Sequence, residues 1–581
     1  MSTVGTTGEP KGPAGSAVTR VAAAYARIAE VDRPEVWISL LDEETAIAAA
    51  RRVDERVAAG EDLPLAGTVC AVKDNIDVVG FPTTAAHPGF AYEPERTATA
   101  AARLLAAGAV VLGKTNLDQF ATGLVGSRSP YGRVRDAHRP DRVSGGSSSG
   151  SGVATALGIV DFALGTDTAG SGRVPAAFGA TVGLKPTIGL VPVTGVVPAC
   201  RSLDCVTVFA PNVATARRVA GVLTGPDATD PLSRDWPVDA PLAAPPAPRV
   251  GVPESSELVG LAPGWVAAFE AAAKRLAETG VELVPFHVKP FVDAGQLLYD
   301  GAFVAERYAA VGAFVTDEAS AEGLDPSVAT IIGGAAGIAA HRLVSDQEQL
   351  GRLRAAARKA THGLDAILLP TVGEHPTLAE VEADPIGANA RLGRYTNFCN
   401  LFDMAAIAFP AGETDDGARF GVTLAAPAFA DHVIADIAER FTMEQSEPIR
   451  LPDSAVPLVV VGAHLSGQPL NGQLTALGAR LLGQVRTAAE YRLFALQTEP
   501  AKPGLVRVGE GGAAVAAELW ALPGAGLATL LAGLPTPMAL GRVRLADGTH
   551  HVGFLCEPVA LENARDITAF GGWRAFRTAN G

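Results

Sequence analysis

Between Val143 and Thr187 the chain carries two glycine-flanked serine segments joined by an almost uncharged run. The first is Val143–Gly152, VSGGSSSGSG, and the second is Gly165–Arg173, GTDTAGSGR. Glycine/serine composition usually marks a flexible linker. Here the first segment is short and runs into the apolar stretch Ala154–Phe162, which makes an ordered loop the better reading. Around Ser171, glycine and small neighbours let the backbone turn tightly, so that consecutive N–H groups can converge on one point, as an oxyanion hole requires. Helix-then-strand alternation recurs from Ala98 to Leu184, which implies an α/β layered fold.

A third segment supplies a base. Thr68–Val72 is a β-prone run that ends on Lys73 within Ala71–Asp77, AVKDNID. A lysine projecting from a buried strand loses water from its ammonium, which lowers its pKa towards that of a usable base. Two other patterns are decoys. Gly108–Thr115 fits a phosphate loop, but Ala109–Leu112, which ought to form the anion cradle, reads as the strand itself. Gly146–Gly150 fits a nucleophile elbow, yet the polar, proline-containing stretch Ala137–Val143 before it is no strand. The ten histidines show no metal-ligand spacing, so neither a metal nor any other cofactor is expected.

Taken together, Gly145–Thr187 and AVKDNID resemble the amidase-signature family, and the resemblance runs from about Ala22 to Phe441. It implies a mixed central sheet covered by helices and a catalytic triad of Lys73, Ser147 and Ser171. By the same resemblance Ser171 is the nucleophile, Ser147 the bridge and Lys73 the base. The backbone of Thr168, Ala169 and Gly170 forms the oxyanion hole, and Asp167 and Ser148 orient the loop. The run Lys114–Tyr131 resembles allophanate hydrolases in particular, with Gly123 in one wall of the pocket, and so does Leu298–Tyr308. On a helix, Tyr299 and Arg307 lie about 80° apart and could face one cleft; arginine suits a substrate carboxylate. Pairing of Arg307 with Asp300 or Glu306 is the bland alternative.

Organisation follows composition. Residues 1–18 read as a loose tail, Arg20–Ala58 as a helical layer, and Pro241–Arg249 as a surface crossing inside the large domain. Ser446–Pro457, with its prolines and charges, is the main break. The expected division is a tail at 1–18, a catalytic domain at 19–445, a linker at 446–456 and a C-terminal domain at 457–581. That last domain resembles the extra domain of longer allophanate hydrolases, a small mixed α/β barrel similar to gamma-glutamyl cyclotransferase-like folds. By that likeness it assists decarboxylation of N-carboxycarbamate, with His464 and Glu518 as candidates.

A formal net charge of −15 excludes nucleic acid as an expected partner, because phosphate binding needs a basic face. No apolar stretch approaches the ~20 residues of a membrane span. Five scattered cysteines fit a reducing, cytoplasmic setting. The expected partners are a small anionic amide substrate, a second copy of the chain as a homodimer, and a functionally linked urea carboxylase. The implied activity is hydrolysis of allophanate to ammonia and carbon dioxide. An amidase acting on another small amide, an ammonia-supplying amidotransferase component, and a C-terminal domain used only for assembly stay open at this point.

Overall fold

In a computed structural model, which describes residues 15–445 and 447–580, the apolar runs before residue 450 assemble into one eleven-stranded mixed sheet. Its strands are β1 (Trp37–Leu40), β2 (Val69–Lys73), β3 (Val110–Thr115), β4 (Phe162–Asp167), β5 (Val182–Lys185), β6 (Cys205–Ala210), β7 (Arg249–Pro253), β8 (Glu282–Phe286), β9 (Ala366–Pro370), β10 (Met404–Glu413) and β11 (Arg419–Pro427). Across the sheet the order is β1-β3-β2-β4-β6-β5-β10-β11-β9-β7-β8. β2 runs parallel to both β3 and β4, while β6 is antiparallel to β4 and to β5. Every residue of β2, β3, β4, β5, β6 and β9 is buried. Successive side chains point to opposite faces, so both faces of these strands are covered.

The glycine of the phosphate-loop decoy now has a reason. Gly113 lies inside β3, and a Cβ there would stand 2.4 Å from the Ser39 carbonyl oxygen of β1. The residue permits close strand approach, not anion binding. The N-terminal layer differs from the expected run of helix. Helices Ala17–Val31 and Glu43–Ala58 start on Ser16 and Asp42, whose side chains accept from the N–H groups of Thr19 and Thr45. Between them β1 pairs with β3, a tertiary contact that helical periodicity does not reveal. The helix begins at Ala17, so the loose tail does not reach Val18; the tail's residues 1–14 lie outside the described residues.

The chain divides into two compact units. The larger comprises the residues up to Asp235 together with Arg249–Ile449, and the smaller comprises Trp236–Pro248 together with the residues from Arg450. Pro241–Arg249 is therefore no surface crossing of the large domain over most of its length. Its anchor is Leu242, 1 % exposed, whose N–H donates to Gly478 at 2.8 Å and whose carbonyl accepts from Arg480 at 2.6 Å. The proline- and alanine-rich composition hid that apolar anchor. The small unit has a five-stranded and a three-stranded sheet. Val456–Val460 sits inside the former, antiparallel to Ala516–Leu522 and parallel to His550–Cys556, over a core that includes Leu458, Tyr491, Leu522 and Trp573.

Candidate active site

β2 delivers Lys73 into the interior at its last residue, where the side chain is fully buried. Its Nζ donates to Ser147 Oγ at 2.8 Å and to Thr166 Oγ1 at 2.7 Å, and Ser147 Oγ lies 2.9 Å from Ser171 Oγ. Hydroxyls both donate and accept, so a proton can run along this chain from Ser171 to Lys73. Loss of water pushes the Lys73 ammonium down to about 7, against the opposing pull of the Asp118, Asp204 and Asp167 carboxylates. The lysine is thus poised to be a free base near neutral pH.

Ser147 stands in the first glycine/serine loop, just before the helix Ser149–Ala156, and the Gly146–Ser147 peptide is cis. Ser148 Oγ donates to the Thr166 carbonyl at 3.0 Å and accepts from the Thr166 N–H at 3.2 Å, fastening the loop to β4. Ser171 follows the end of β4 on a turn held by Asp167, whose carboxylate takes both Nε and Nη2 of Arg173 at 3.0 Å and the Gly172 N–H at 3.0 Å. Asn400 Nδ2 donates to the Asp167 carbonyl at 2.8 Å. Gly170 has φ +145°, and a Cβ on it would stand 2.4 Å from Thr396 Oγ1, so only glycine fits. The N–H groups of Thr168, Ala169, Gly170 and Ser171 find no acceptor among the described residues. Buried N–H groups without partners are rare, and a row of them beside a nucleophile is what a developing oxyanion needs. The Thr168 hydroxyl donates to Asp204, a buried carboxylate that also accepts from the N–H groups of Ala199 and Cys200.

Arg307 is 1 % exposed and has no carboxylate within ion-pair distance among the described residues. Its Nη1 donates to Thr122 Oγ1 at 2.9 Å and its Nη2 to Tyr299 Oη at 2.9 Å, while its Nε has no partner there. The bland alternative does not form, because the Glu306 carboxylate is taken by the N–H and hydroxyl of Ser202. The premise that Tyr299 and Arg307 share a helix is corrected. Tyr299 lies in a turn, ahead of the helix Ala305–Val315 that carries Arg307. Gly301 permits that turn, since a Cβ there would meet the Leu297 carbonyl oxygen at 2.5 Å. An uncompensated buried guanidinium costs several kcal/mol unless an anion joins it. Gly123 adjoins Thr122; a Cβ on it would stand 2.5 Å from Asp118 Oδ2. Asp118 in turn accepts from the N–H groups of Gly126 and Arg128 and donates its own N–H to the Ser147 carbonyl.

In the small unit, His464 lines a cavity of ≈ 200 Å³ together with Gln473, Lys502 and mostly apolar residues. Its Nε2 lies 3.0 Å from Gln473 Oε1, and its ring stacks on Phe554 with centroids 4.6 Å apart. Glu518 is not brought to that cavity. Its carboxylate is saturated by the Ser466 N–H and hydroxyl, Trp520 Nε1 and Arg574 Nη2, which makes it a tie to the C-terminal helix Trp573–Asn580. Thr122, Thr166, Asp204, Gln473 and Lys502 were not singled out from the sequence. None of these carries a local signal that sets it apart from other residues of its type.

Comparison with known proteins matches this architecture. The model of the Amidase family fits residues 20–434, and that of the allophanate hydrolase C-terminal domain fits residues 456–578. Urea amidolyase of Saccharomyces cerevisiae is 39 % identical over 579 residues, which cover 94 % of this chain and 31 % of that protein, so the chain spans about a third of that relative's length. The solved structure of Kluyveromyces lactis allophanate hydrolase is 36 % identical with a TM-score of 0.86, covering 98 % of both chains. A glutamyl-tRNA(Gln) amidotransferase polypeptide of a Synechococcus species is 33 % identical over 443 residues, covering 71 % of this chain and 90 % of that one. The chain belongs to the amidase family and carries an allophanate hydrolase C-terminal domain after its amidase fold.

Proposed function

We propose that this chain hydrolyses allophanate, a urea-type amide bearing a carboxylate, as part of urea breakdown beside a urea carboxylase. The observation that carries the substrate assignment is the buried Arg307 guanidinium, which has no carboxylate of its own among the described residues. With Tyr299 it is the group that takes the substrate carboxylate, and Gly123 stands in the adjoining wall. Ser171 Oγ attacks the terminal amide carbonyl while its proton passes through Ser147 to neutral Lys73. The N–H groups of Thr168 to Ser171 receive the oxyanion. As the tetrahedral adduct collapses, the relay returns the proton to the departing ammonia. Water then repeats the sequence and releases N-carboxycarbamate.

The C-terminal domain, read as a gamma-glutamyl cyclotransferase-like fold, assists decarboxylation of that product in the cavity holding His464; Glu518 acts only as a structural tie. Speaking against an ammonia-supplying component of a larger amidotransferase is the C-terminal match over residues 456–578. Five buried free cysteines suit a reducing cytoplasm. The test is ammonia release from allophanate by wild type beside Ser171→Ala and Arg307→Met. Turnover should vanish in the first, and in the second KM should rise by about tenfold or more for loss of a charge-assisted contact. Undiminished use of allophanate by Arg307→Met would remove the substrate assignment and leave a general amidase.

A further inference from the structure

The cavity of the C-terminal unit, at ≈ 200 Å³, falls short of the ~300 Å³ at which drug-sized ligand sites begin, so its occupant is small. Three of its lining side chains are polar: His464, Gln473 and Lys502. The rest are apolar or glycine, with Val461, Leu530, Met538 and Phe554 among them. Burial lowers the His464 pKa from its ordinary value, with the Gln473 hydrogen bond opposing and the neighbouring Lys502 charge adding to the shift. Lys502 is the one lysine in a lining that holds no arginine, aspartate or glutamate, and no carboxylate or other acceptor pairs with it among the described residues. Its position is fixed from below. Lys502 opens the strand Lys502–Arg507, and the next residue, Pro503, lies so close to Gly462 that a Cβ there would stand 2.3 Å from Pro503 Cδ. That contact holds the lysine's strand against the loop that carries His464.

We propose that Lys502 binds one carboxylate of a small dianion in this cavity and thereby leaves the other to react. The inference rests on the reading that the C-terminal domain acts on N-carboxycarbamate, two carboxylates joined by one nitrogen. One carboxylate pairs with Lys502. The other is left against apolar walls, where a carboxylate is poorly solvated and its conversion to neutral carbon dioxide is favoured. In that step the bond from nitrogen to the second carboxyl carbon breaks and its electron pair goes to nitrogen. The nitrogen takes up a proton that solvent supplies by way of His464, and carbamate remains on Lys502. No oxidant, reductant or metal enters the balance.

The experiment follows 13C-labelled allophanate by NMR in the full chain, reading the ratio of N-carboxycarbamate to ammonia during turnover. Lys502→Met keeps the aliphatic stem, Lys502→Gln keeps a polar end, and Lys502→Arg keeps the charge. Loss of the cation should raise the ratio about tenfold in the first two, the size of one charge-assisted hydrogen bond, with Arg restoring it towards wild type. His464→Ala is run beside them. A raised ratio in His464→Ala with none in Lys502→Met or Lys502→Gln overturns the role of Lys502 alone. Wild-type ratios in all of them overturn the reading of the cavity as well.

Discussion

An ammonium with no water around it can be satisfied by a counter-ion or can give up its proton, and this chain shows both outcomes. Lys114 is fully buried and keeps Asp74 at 3.3 Å. Lys73, equally buried, has among the described residues only the hydroxyls of Ser147 and Thr166 within bonding distance, and its pKa falls to about 7. In the proposed mechanism the free amine is the active form, so kcat/KM should be flat above about pH 7 and fall about tenfold per unit below it, as a pH–rate profile would report. The Arg307 charge contributes to that lowering. Removing it in Arg307→Met should therefore move the acid limb to higher pH, measured on an amide without a carboxylate; an unmoved limb would separate the two groups. Thr166→Val deletes one of the lysine's two partners and should lower kcat by about tenfold with little change in KM. Lys73, Ser147 and Ser171 were legible because each sits in a short motif of distinctive composition. Thr166 and Asp204 were not, since a threonine in a strand and an aspartate in a loop mean nothing until the strands are paired.

Elements place these groups by close backbone approach. On β5, Gly183 faces the loop behind the proposed nucleophile, Ser171, and a Cβ there would stand 2.0 Å from the Gly172 carbonyl oxygen. Gly183→Ala should cost about 1–3 kcal/mol in urea-induced unfolding, the usual penalty for overpacking, and should also depress kcat because Ser171 is the neighbour of Gly172. Full activity with lost stability would show that the loop can shift without its nucleophile. β2 was readable as the β-prone run that ends on Lys73, and β3 as the apolar run Ala109–Leu112. β1 was not, because four residues between two helices carry no period of their own and only pairing with β3 makes them a strand. The turn at Tyr299 escaped because apolar spacing continues across it, although the glycine that permits it, Gly301, stands only four residues beyond Leu297.

At the scale of the molecule, the small unit is built from two separated stretches of chain, Trp236–Pro248 and the residues from Arg450. A chain ended at Ile449 would keep the first stretch and lose what covers Leu242. Such a truncation should aggregate, whereas the same truncation with residues 236–248 replaced by a short glycine/serine linker should stay soluble and still release ammonia; light scattering and an ammonia assay distinguish the two. Equal solubility would mean that Trp236–Pro248 contributes little to its unit. Proline and charge density made the break near residue 450 readable. They gave no hint of the earlier stretch, in which Leu242 is buried and hydrogen-bonded to Gly478 and Arg480.

That discontinuity sets a timetable for synthesis. When Pro248 leaves the ribosome, Arg450 is still roughly 200 residues away, which at ~5–20 residues per second is about 10–40 s of translation. Throughout that interval Leu242 and its neighbours have no partner to pack against, while the sheet strands on either side of them are already being made. The nascent chain therefore carries a sticky segment in its middle, and its yield in a cell should depend on chaperones that shield that segment until the residues beyond Arg450 arrive.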